Sequence, residues 1–360
     1  AVFTMERAIP LGIKFSSVIA VGNSAQTGVE DVVQYWDEIF NPESGSRVKI
    51  LYIEQIKKPE LFMNHCRSLA EKGCRIAAIK AGVTEAGSRA AMSHTGALAN
   101  PDVAVDALFR KCGIVRCFGR DELVYAAGVL LHKELKGRNI AVITHAGGAG
   151  VIAADALSAG GLNVPRINGM AAERLKTRLF HGASTENPID FLGTGTAEQL
   201  GMIIDFVESE CDDIHGSVVI FGSPGLFDVT EVYRLLDDKM KSISKPVFPV
   251  FPSLMIAKAA MKSFTALGRI YFPDEAHLSK ALAAVTNSRK PYHEAEIMLP
   301  GRERLREIID SAGSGYMKPE EISGLLGAAG IPEAAQRTAR DWGSALEAAS
   351  MLGYPVAMKV

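Results

Sequence analysis

Short apolar runs alternate with stretches of helical periodicity along almost the whole chain. The apolar runs predict strands at SVIAV (17–21), VKILYI (48–53), RIAAIK (75–80), IVRC (114–117), NIAVIT (139–144), SVVIF (217–221), PVFPVF (246–251) and RIYF (269–272). Amphipathic patterns predict helices at AVFTMERAI (1–9), VEDVVQYWDEIF (29–40), PELFMNHCRSLAEKG (59–73), DELVYAAGVLLHKEL (121–135) and LMIAKAAMKSF (254–264). Continuously apolar strands separated by helices are typical of parallel sheets covered on both faces. The pattern therefore predicts an α/β protein with two doubly wound parallel sheets.

Two breaks in this pattern predict the domain organisation. Helix and polar residues replace the strand pattern near 117–138, and the stretch 288–316 mixes Pro, Gly and charges without a strand. We expect a first sheet domain over 1–118, a second over 119–290, a linker with one short helix over 291–315, and a further unit over 316–360. That last unit is predicted to contain helices at 318–330 and 341–353, a short strand near 334–339 and a buried strand at 354–360.

The chain opens within a predicted helix and stops within a predicted strand, so we expect it to be part of a longer protein. Its 360 residues carry 39 Lys and Arg against 41 Asp and Glu, a net charge of -2 that argues against a nucleic-acid partner. The five cysteines include no pair with the spacing of a zinc or redox motif. No apolar run has transmembrane length and no signal pattern opens the chain. We therefore expect a cytoplasmic protein with reduced thiols, no membrane partner and no metal site of its own.

The segment GVTEAGSRAAMSHTGALANPD (82–102) follows a predicted strand, at the end of the sheet where open α/β folds place ligands. It reads as a long loop of small residues that carries His94, flanked by Ser93, Thr95 and Gly96. An imidazole in such a loop can act as a base, a ligand or a nucleophile. A loop histidine without a chemical role is the alternative.

Glu54 ends the strand VKILYI and should face the same crevice. Its carboxylate could hold one ring nitrogen of His94 and leave the other free to react. A solvated loop glutamate is the alternative.

The segment THAGGAGVIAADAL (144–157) runs from a strand through a glycine-rich turn into a helix. The turn at Gly147, Gly148 and Gly150 would present backbone N–H groups at a helix N-terminus, which favours an anion. It matches neither the dinucleotide fingerprint nor the P-loop. A tight turn whose glycines serve packing alone is the alternative, and His145 is interpreted as a neighbour rather than a catalyst.

The segment STENPIDFLGTGT (184–196) contains an Asn-Pro turn followed by an acid. Asn187 and Asp190 could line the crevice of the second domain and contact substrate. A purely structural turn is the alternative that the residue types favour.

Together these segments resemble the NDP-forming acyl-CoA synthetases, the superfamily that also contains succinyl-CoA synthetase. SHTGALA (93–99) is similar to the phosphohistidine loop of that family, and LYIEQI (51–56) to the segment with its histidine-orienting glutamate. GIKFSSVIAVGNSA (12–25), THAGGAGVIAADAL and NPIDFLG also resemble family segments. LLGAAGIPEA (325–334) and ALEAASMLGYPVAMKV (345–360) look like the opening of an ATP-grasp domain, with Lys359 in the position of its nucleotide-binding lysine.

The resemblance implies two flavodoxin-like domains followed by the start of an ATP-grasp domain. It also implies a relay: acyl-CoA and phosphate give an acyl phosphate and CoA, His94 takes the phosphoryl group, and ADP with Mg²⁺ receives it. Glu54 would orient the histidine, and Ser93, Thr95, Gly96 and the glycines of the second turn would bind phosphate. We expect a homo-oligomer that needs the remainder of a longer protein for a complete turnover.

Two other classes of protein stay open at this point. The chain could be a non-catalytic regulatory module that binds a CoA thioester or phosphate on the same scaffold. A flavodoxin-like electron carrier is the third possibility, although an aromatic content of 7% offers few stacking partners for a flavin.

Overall fold

The computed structural model describes residues 1–22, 26–95, 100–223, 228–288, 291 and 301–359, and for residues 94 and 95 it describes the backbone only. The chain divides into two compact units, residues 1–292 and residues 293–360. Both predicted sheets lie in the first unit. The proposed boundary between their domains at residues 118 and 119 stays a prediction.

The first sheet has three parallel strands in the order β1-β2-β3. The strands are β1 (Val48–Ile53), β2 (Arg75–Lys80) and β3 (Val115–Cys117). The helices of this part are α1 (Val2–Ala8), α2 (Val29–Ile39), α3 (Pro59–Glu71), α4 (Glu85–Thr95) and α5 (Asp102–Cys112). Side chains of α2, α3 and α5 cover one face of the sheet, around the buried rings of Phe62 and Phe109.

The strand predicted over 17–21 is wrong. These residues form irregular chain, and Val18 and Ile19 are 48% and 43% exposed. A β-branched run forms a strand only where a neighbouring strand satisfies its backbone N–H and C=O groups. No strand in the described part of the chain lies beside this run.

The second sheet has four parallel strands in the order β5-β4-β6-β7. They are β4 (Ile140–Thr144), β5 (Ile189–Asp190), β6 (Gly216–Ile220) and β7 (Val247–Val250). The predicted strand RIYF reduces to a single bridge between Phe272 and Val250. With that bridge the order is that of a flavodoxin-like sheet, which confirms the predicted fold class.

Helices cover both faces of the second sheet. They are α6 (Arg120–Leu131), α7 (Gly147–Ala159), α8 (Met170–Lys176), α9 (Ala197–Glu210), α10 (Thr230–Ser242), α11 (Lys258–Ala266) and α12 (Glu275–Asn287). Helix α6, α7 and α12 pack on one face, and α8 to α11 pack on the other. Helix α11 begins four residues later than predicted, because residues 254–257 form a turn.

Helix α6 joins the two sheets. Leu123 and Ala126 pack against the first sheet, beside Ile79 of β2. Tyr125 and Val129 pack into the core of the second. A helix that is apolar on nearly every side is expected where both sides are buried.

The second unit contains α13 (Arg302–Ser311), α14 (Pro319–Ala328) and α15 (Trp342–Leu352). Helix α13 packs on α14, where Gly301 approaches the carbonyl of Ala328. The strands predicted at 334–339 and 354–360 are wrong for the residues that are described, which are exposed irregular chain. Among residues 301–359 there is no strand with which either segment could pair.

None of the helices in the described ranges combines the length and the apolar character needed to cross a membrane. All five cysteines are buried free thiols.

Candidate active site

The first group of candidate residues lies where β1 and β2 end. Glu54 follows β1 directly and is half-buried. The N–H of Ala81 donates to the carbonyl of Ile53 at 2.8 Å, which extends the strand pairing up to Glu54. This bond fixes Ile53, the residue before Glu54, at the carboxyl end of the sheet.

Lys80, the last residue of β2, is an unexpected member of this group. It is only 2% exposed, and its Nζ donates to the carbonyls of Ala81 and Gly82. The Ser88 hydroxyl of α4 donates to the same Gly82 carbonyl at 3.0 Å. These bonds fix the chain where it leaves the sheet toward α4.

Charged groups surround the Lys80 ammonium. Burial lowers the pKa of Lys80, the carboxylate of Asp102 opposes that shift, Arg116 adds to it, and Glu54 opposes it. Arg116 itself forms ion pairs of 2.5 Å with Asp102 and 2.8 Å with Asp106. No sequence motif indicates this network, because its residues come from strands and a helix that are far apart in the chain.

His94 lies in the last turn of α4, which runs from Glu85 to Thr95. The expectation of a continuous loop from 82 to 102 is therefore wrong for these eleven residues. The Thr84 hydroxyl accepts the Gly87 N–H at 3.1 Å, which caps the start of a helix rich in alanine. Ser93 is exposed, and Gly96 lies outside the described residues.

Asn100 connects the end of the histidine segment to the Glu54 loop. Its Oδ1 accepts the N–H of Ile56 at 2.8 Å, and its Nδ2 donates to the carbonyl of Ile56 at 3.2 Å. Sequence reasoning missed this residue, because an Asn-Pro pair in a loop indicates only a turn.

The second group lies where β4 ends and α7 begins at Gly147. The first N–H groups of a helix have no partner within it, so those of Gly147 and Gly148 point out of α7. A Cβ on Gly148 would meet no atom within 4 Å, whereas one on Gly150 would lie 2.8 Å from Cγ2 of Thr144. Gly150 thus serves close packing, and Gly148 faces open space.

Asp190 and Asn187 occupy different positions around this turn. Asp190 lies at the end of β5, and its Oδ2 lies 2.8 Å from where a Cβ on Gly147 would stand. Asn187 is buried and pairs with β4, accepting from Val142 N–H at 2.8 Å and donating to the Ile140 carbonyl at 3.0 Å. Asn187 therefore has a structural role. The carboxylate of Asp190 lies beside the first turn of α7.

His145 is packed into the wall of the same crevice. Its ring stacks on Phe221 with a centroid distance of 4.3 Å, and its Nδ1 lies 3.4 Å from the Ile220 carbonyl. Burial lowers the pKa of His145, against the carbonyl of Ile220 and the charge of Asp190. The interpretation of His145 as a neighbour rather than a catalyst stays a prediction.

Lys359 belongs to the second unit, where it is exposed on irregular chain. Within the described ranges, no three His, Cys, Asp or Glu side chains come together in a way that could hold a metal ion.

Comparison with known proteins finds similarity to acyl-CoA ligases. The model of the succinyl-CoA ligase like flavodoxin domain matches residues 1–130. An ADP-forming acetate–CoA ligase I of Archaeoglobus fulgidus is 27% identical over 356 residues, which is 97% of this chain and 50% of that protein. Over nearly its whole length the chain is therefore similar to ADP-forming acyl-CoA ligases.

A second curated ligase is similar to the chain at a comparable level. The ADP-forming 4-hydroxybutyrate–CoA ligase of Nitrosopumilus maritimus is 24% identical over 369 residues, or 99% of this chain and 51% of that protein. The chain thus spans about half the length of these two curated relatives.

A solved structure shares the fold. Acetyl-coenzyme A synthetase 1 of Candidatus Korarchaeum cryptofilum, described as dinucleotide forming and in complex with phosphate and ADP, superposes with a TM-score of 0.70 at 24% identity. The match covers 79% of this chain and 61% of that one.

Proposed function

We propose that the protein interconverts an acyl-CoA, ADP and phosphate with a carboxylic acid, CoA and ATP, through a phosphohistidine at His94. One observation supports this proposal above all: Glu54 directly follows β1, and His94 lies in the last turn of the helix that follows the neighbouring strand β2. The relatives named as ADP-forming ligases of acetate and 4-hydroxybutyrate support the reaction class.

In the first step phosphate attacks the thioester carbonyl. A C–O bond forms, the C–S bond breaks, and CoA leaves as the thiol, so that the product is an acyl phosphate. A ring nitrogen of His94 then attacks phosphorus, and the P–O bond to the acyl group breaks as the carboxylate leaves. The final transfer to ADP breaks the P–N bond and forms a P–O bond, which divides one difficult transfer into easier ones.

Glu54 has a positioning role in this scheme. A carboxylate that accepts the N–H of one ring nitrogen leaves the other nitrogen unprotonated and nucleophilic. The same negative charge stabilises the positive charge that develops on the ring as phosphorus is attacked. The strand pairing at Ile53 holds the backbone next to Glu54 in place, which supports a positioning role for its carboxylate.

The N-terminus of α7 is proposed to hold the phosphoryl oxygens. The N–H groups of Gly147 and Gly148 and the helix dipole favour an anion there. Ser93, Thr95 and Gly96 are proposed as phosphate-binding residues beside His94. The open space over Gly148 supports the glycine part of this assignment.

The nucleotide is assigned to the second unit by resemblance. We propose that residues 316–360 open an ATP-grasp domain and that Lys359 contacts the nucleotide, with Mg²⁺ bound to its phosphates. A cytoplasmic location and a homo-oligomer complete the proposal, and light scattering of the purified protein tests the oligomer directly.

Discharge of the phosphoenzyme tests the function and identifies the substrate. The natural full-length protein is labelled with Mg²⁺ and γ-³²P-ATP, freed of nucleotide, and mixed with CoA and one acid of a panel that includes acetate and 4-hydroxybutyrate. We expect loss of label and formation of acyl-CoA with at least one acid. Label that no combination of CoA and acid removes would contradict an acyl-CoA synthetase and favour the binding module.

A further inference from the structure

We propose that Asn100 is a positioning residue that fixes the Glu54 loop against the histidine segment, and so determines which ring nitrogen of His94 is phosphorylated. This inference rests on the proposed function of His94 and Glu54. Asn100 lies six residues after His94 and contacts the loop two residues after Glu54. It is therefore a residue whose hydrogen bonds join the two segments.

The side-chain amide of Asn100 bonds to the backbone of Ile56 in the way that a neighbouring strand would, with one accepted and one donated hydrogen bond. Both backbone groups of Ile56 are bonded to the Asn100 amide, at 2.8 Å and 3.2 Å. An amide offers one acceptor and two donors, so a single orientation of the Asn100 side chain satisfies both bonds. Neither Ala nor Asp can reproduce the pair.

Ile56 links this contact to the site, because its side chain is buried and Glu54 is two residues before it. Its side chain is 3% exposed and packs in the core with Phe62 and Val105. Without Asn100, a polar N–H and a carbonyl at the edge of that core would lose their partners, and such groups seek new ones by moving the backbone. Glu54 is two residues away on the same loop, so its carboxylate would move as well.

The other end of the histidine segment is held independently. Lys80 and Ser88 fix the carbonyl of Gly82, at the start of α4. The contacts at Gly82 hold the chain before α4, which contains His94. The hydrogen bonds of Asn100 hold the chain after His94. Loss of Asn100 therefore changes the relation between His94 and Glu54 without releasing α4 from the sheet.

The regiochemistry of chemical phosphorylation tests the proposal. Phosphoramidate phosphorylates histidine without CoA or nucleotide: a ring nitrogen attacks phosphorus, the P–N bond of the reagent breaks, and ammonia leaves. Nδ1 and Nε2 phosphohistidine have distinct ³¹P resonances in denatured protein. In the full-length protein we expect one isomer at His94 for wild type, and both isomers, formed at least 10-fold more slowly, for Asn100→Ala and Asn100→Asp.

Two further variants separate the proposal from a general loss of structure. Asn41→Ala removes an exposed asparagine whose Oδ1 accepts only the N–H groups of Glu43 and Ser44 in its own turn, and it should behave as wild type. Glu54→Ala should give the same mixture of isomers as Asn100→Ala. The double variant should be no worse than Glu54→Ala alone, because one residue acts through the other.

The measured isomer ratio and rate support or overturn the proposed role of Asn100. A single isomer at the wild-type rate in Asn100→Ala and Asn100→Asp overturns the proposal, as do additive effects in the double variant. If Asn100→Ala loses its cooperative urea transition, Asn100→Asp, which keeps the shape and the acceptor, supplies the comparison. If His94 reacts with phosphoramidate but never with ATP, the proposed function fails while the isomer ratio still reports on Asn100.

Discussion

At the scale of single residues, the site depends on carboxylates and amides that hold other groups in place. Glu54 and Asn187 could be named from the sequence, because each stands in a short motif beside a strand. Lys80 and Asn100 could not, because a lysine at the end of a strand or an asparagine before proline has no local pattern that indicates its partners. Their roles come from contacts made only after the sheet has formed.

Glu54→Gln tests the orienting role. The glutamine keeps the size of the side chain but removes its negative charge, so the imidazole loses the group that favours its reactive tautomer and stabilises its positive charge. We expect labelling of His94 by γ-³²P-ATP to slow by about 10- to 100-fold, by analogy with the loss of a carboxylate that orients a metal-binding histidine. Initial rates of acid-labile label measure it. Glu60→Gln, an exposed glutamate of α3, is the control, and an unchanged rate in Glu54→Gln would refute the role.

At the scale of elements, the longer apolar runs form strands only where a neighbouring strand pairs with them. β1 and β2 pair with each other along their whole length and have the predicted bounds, although only β2 is almost fully buried and Tyr52 of β1 is exposed. The run at 17–21 has the same composition and no described neighbour, and β5 is only two residues long, too short for a pattern. Pairing is a property of the tertiary fold, and periodicity does not report it.

Two glycines of α7 lie in different surroundings: Gly148 faces open space, and Gly150 packs against Thr144. Gly148→Ala meets no atom within 4 Å, and alanine favours a helix over glycine by up to about 1 kcal/mol. We expect an unchanged or slightly higher free energy of unfolding and slower labelling of His94, because the methyl group narrows the approach of the phosphoryl oxygens. Urea denaturation and the labelling rate measure both. Labelling at the wild-type rate would argue against phosphate at this helix end.

Gly150→Ala should have the opposite profile. Its Cβ would lie 2.8 Å from Cγ2 of Thr144, and overpacking of this kind costs about 1–3 kcal/mol. Thr144→Ser removes that methyl group and keeps the hydroxyl that accepts the Ala146 N–H, so the double variant should recover most of the loss. A double variant as unstable as Gly150→Ala alone would show that the strain lies elsewhere.

At the scale of the whole molecule, helix α6 packs into hydrophobic clusters of both sheets, so the first unit should unfold in a single transition. Asp237 of α10 is a charged residue within that unit, with its side chain 5% exposed. It accepts from Arg269 Nε at 2.6 Å and pairs with Lys241 at 2.5 Å. The ion pair with Arg269 ties α10 to the segment that bridges to β7.

The acid sensitivity of stability should depend on Asp237. Burial raises its pKa, but Lys241 and Arg269 outweigh burial and hold the pKa below its usual 3.8. The group therefore adds stability above about pH 4, and that contribution is lost as pH falls through the lowered folded pKa. Asp237→Asn should cost about 3 kcal/mol at pH 7, and less at pH 3. Urea midpoints at both pH values measure it, and an equal loss at both would contradict the electrostatic explanation.

In the proposed mechanism, His94 carries the phosphoryl group. Incubation of the natural full-length protein and its His94→Ala variant with Mg²⁺ and γ-³²P-ATP tests this role. We expect label in the wild type that is stable in base, lost in acid and absent from the variant, with both proteins folded by circular dichroism. Equal label in the variant would contradict the phosphohistidine mechanism.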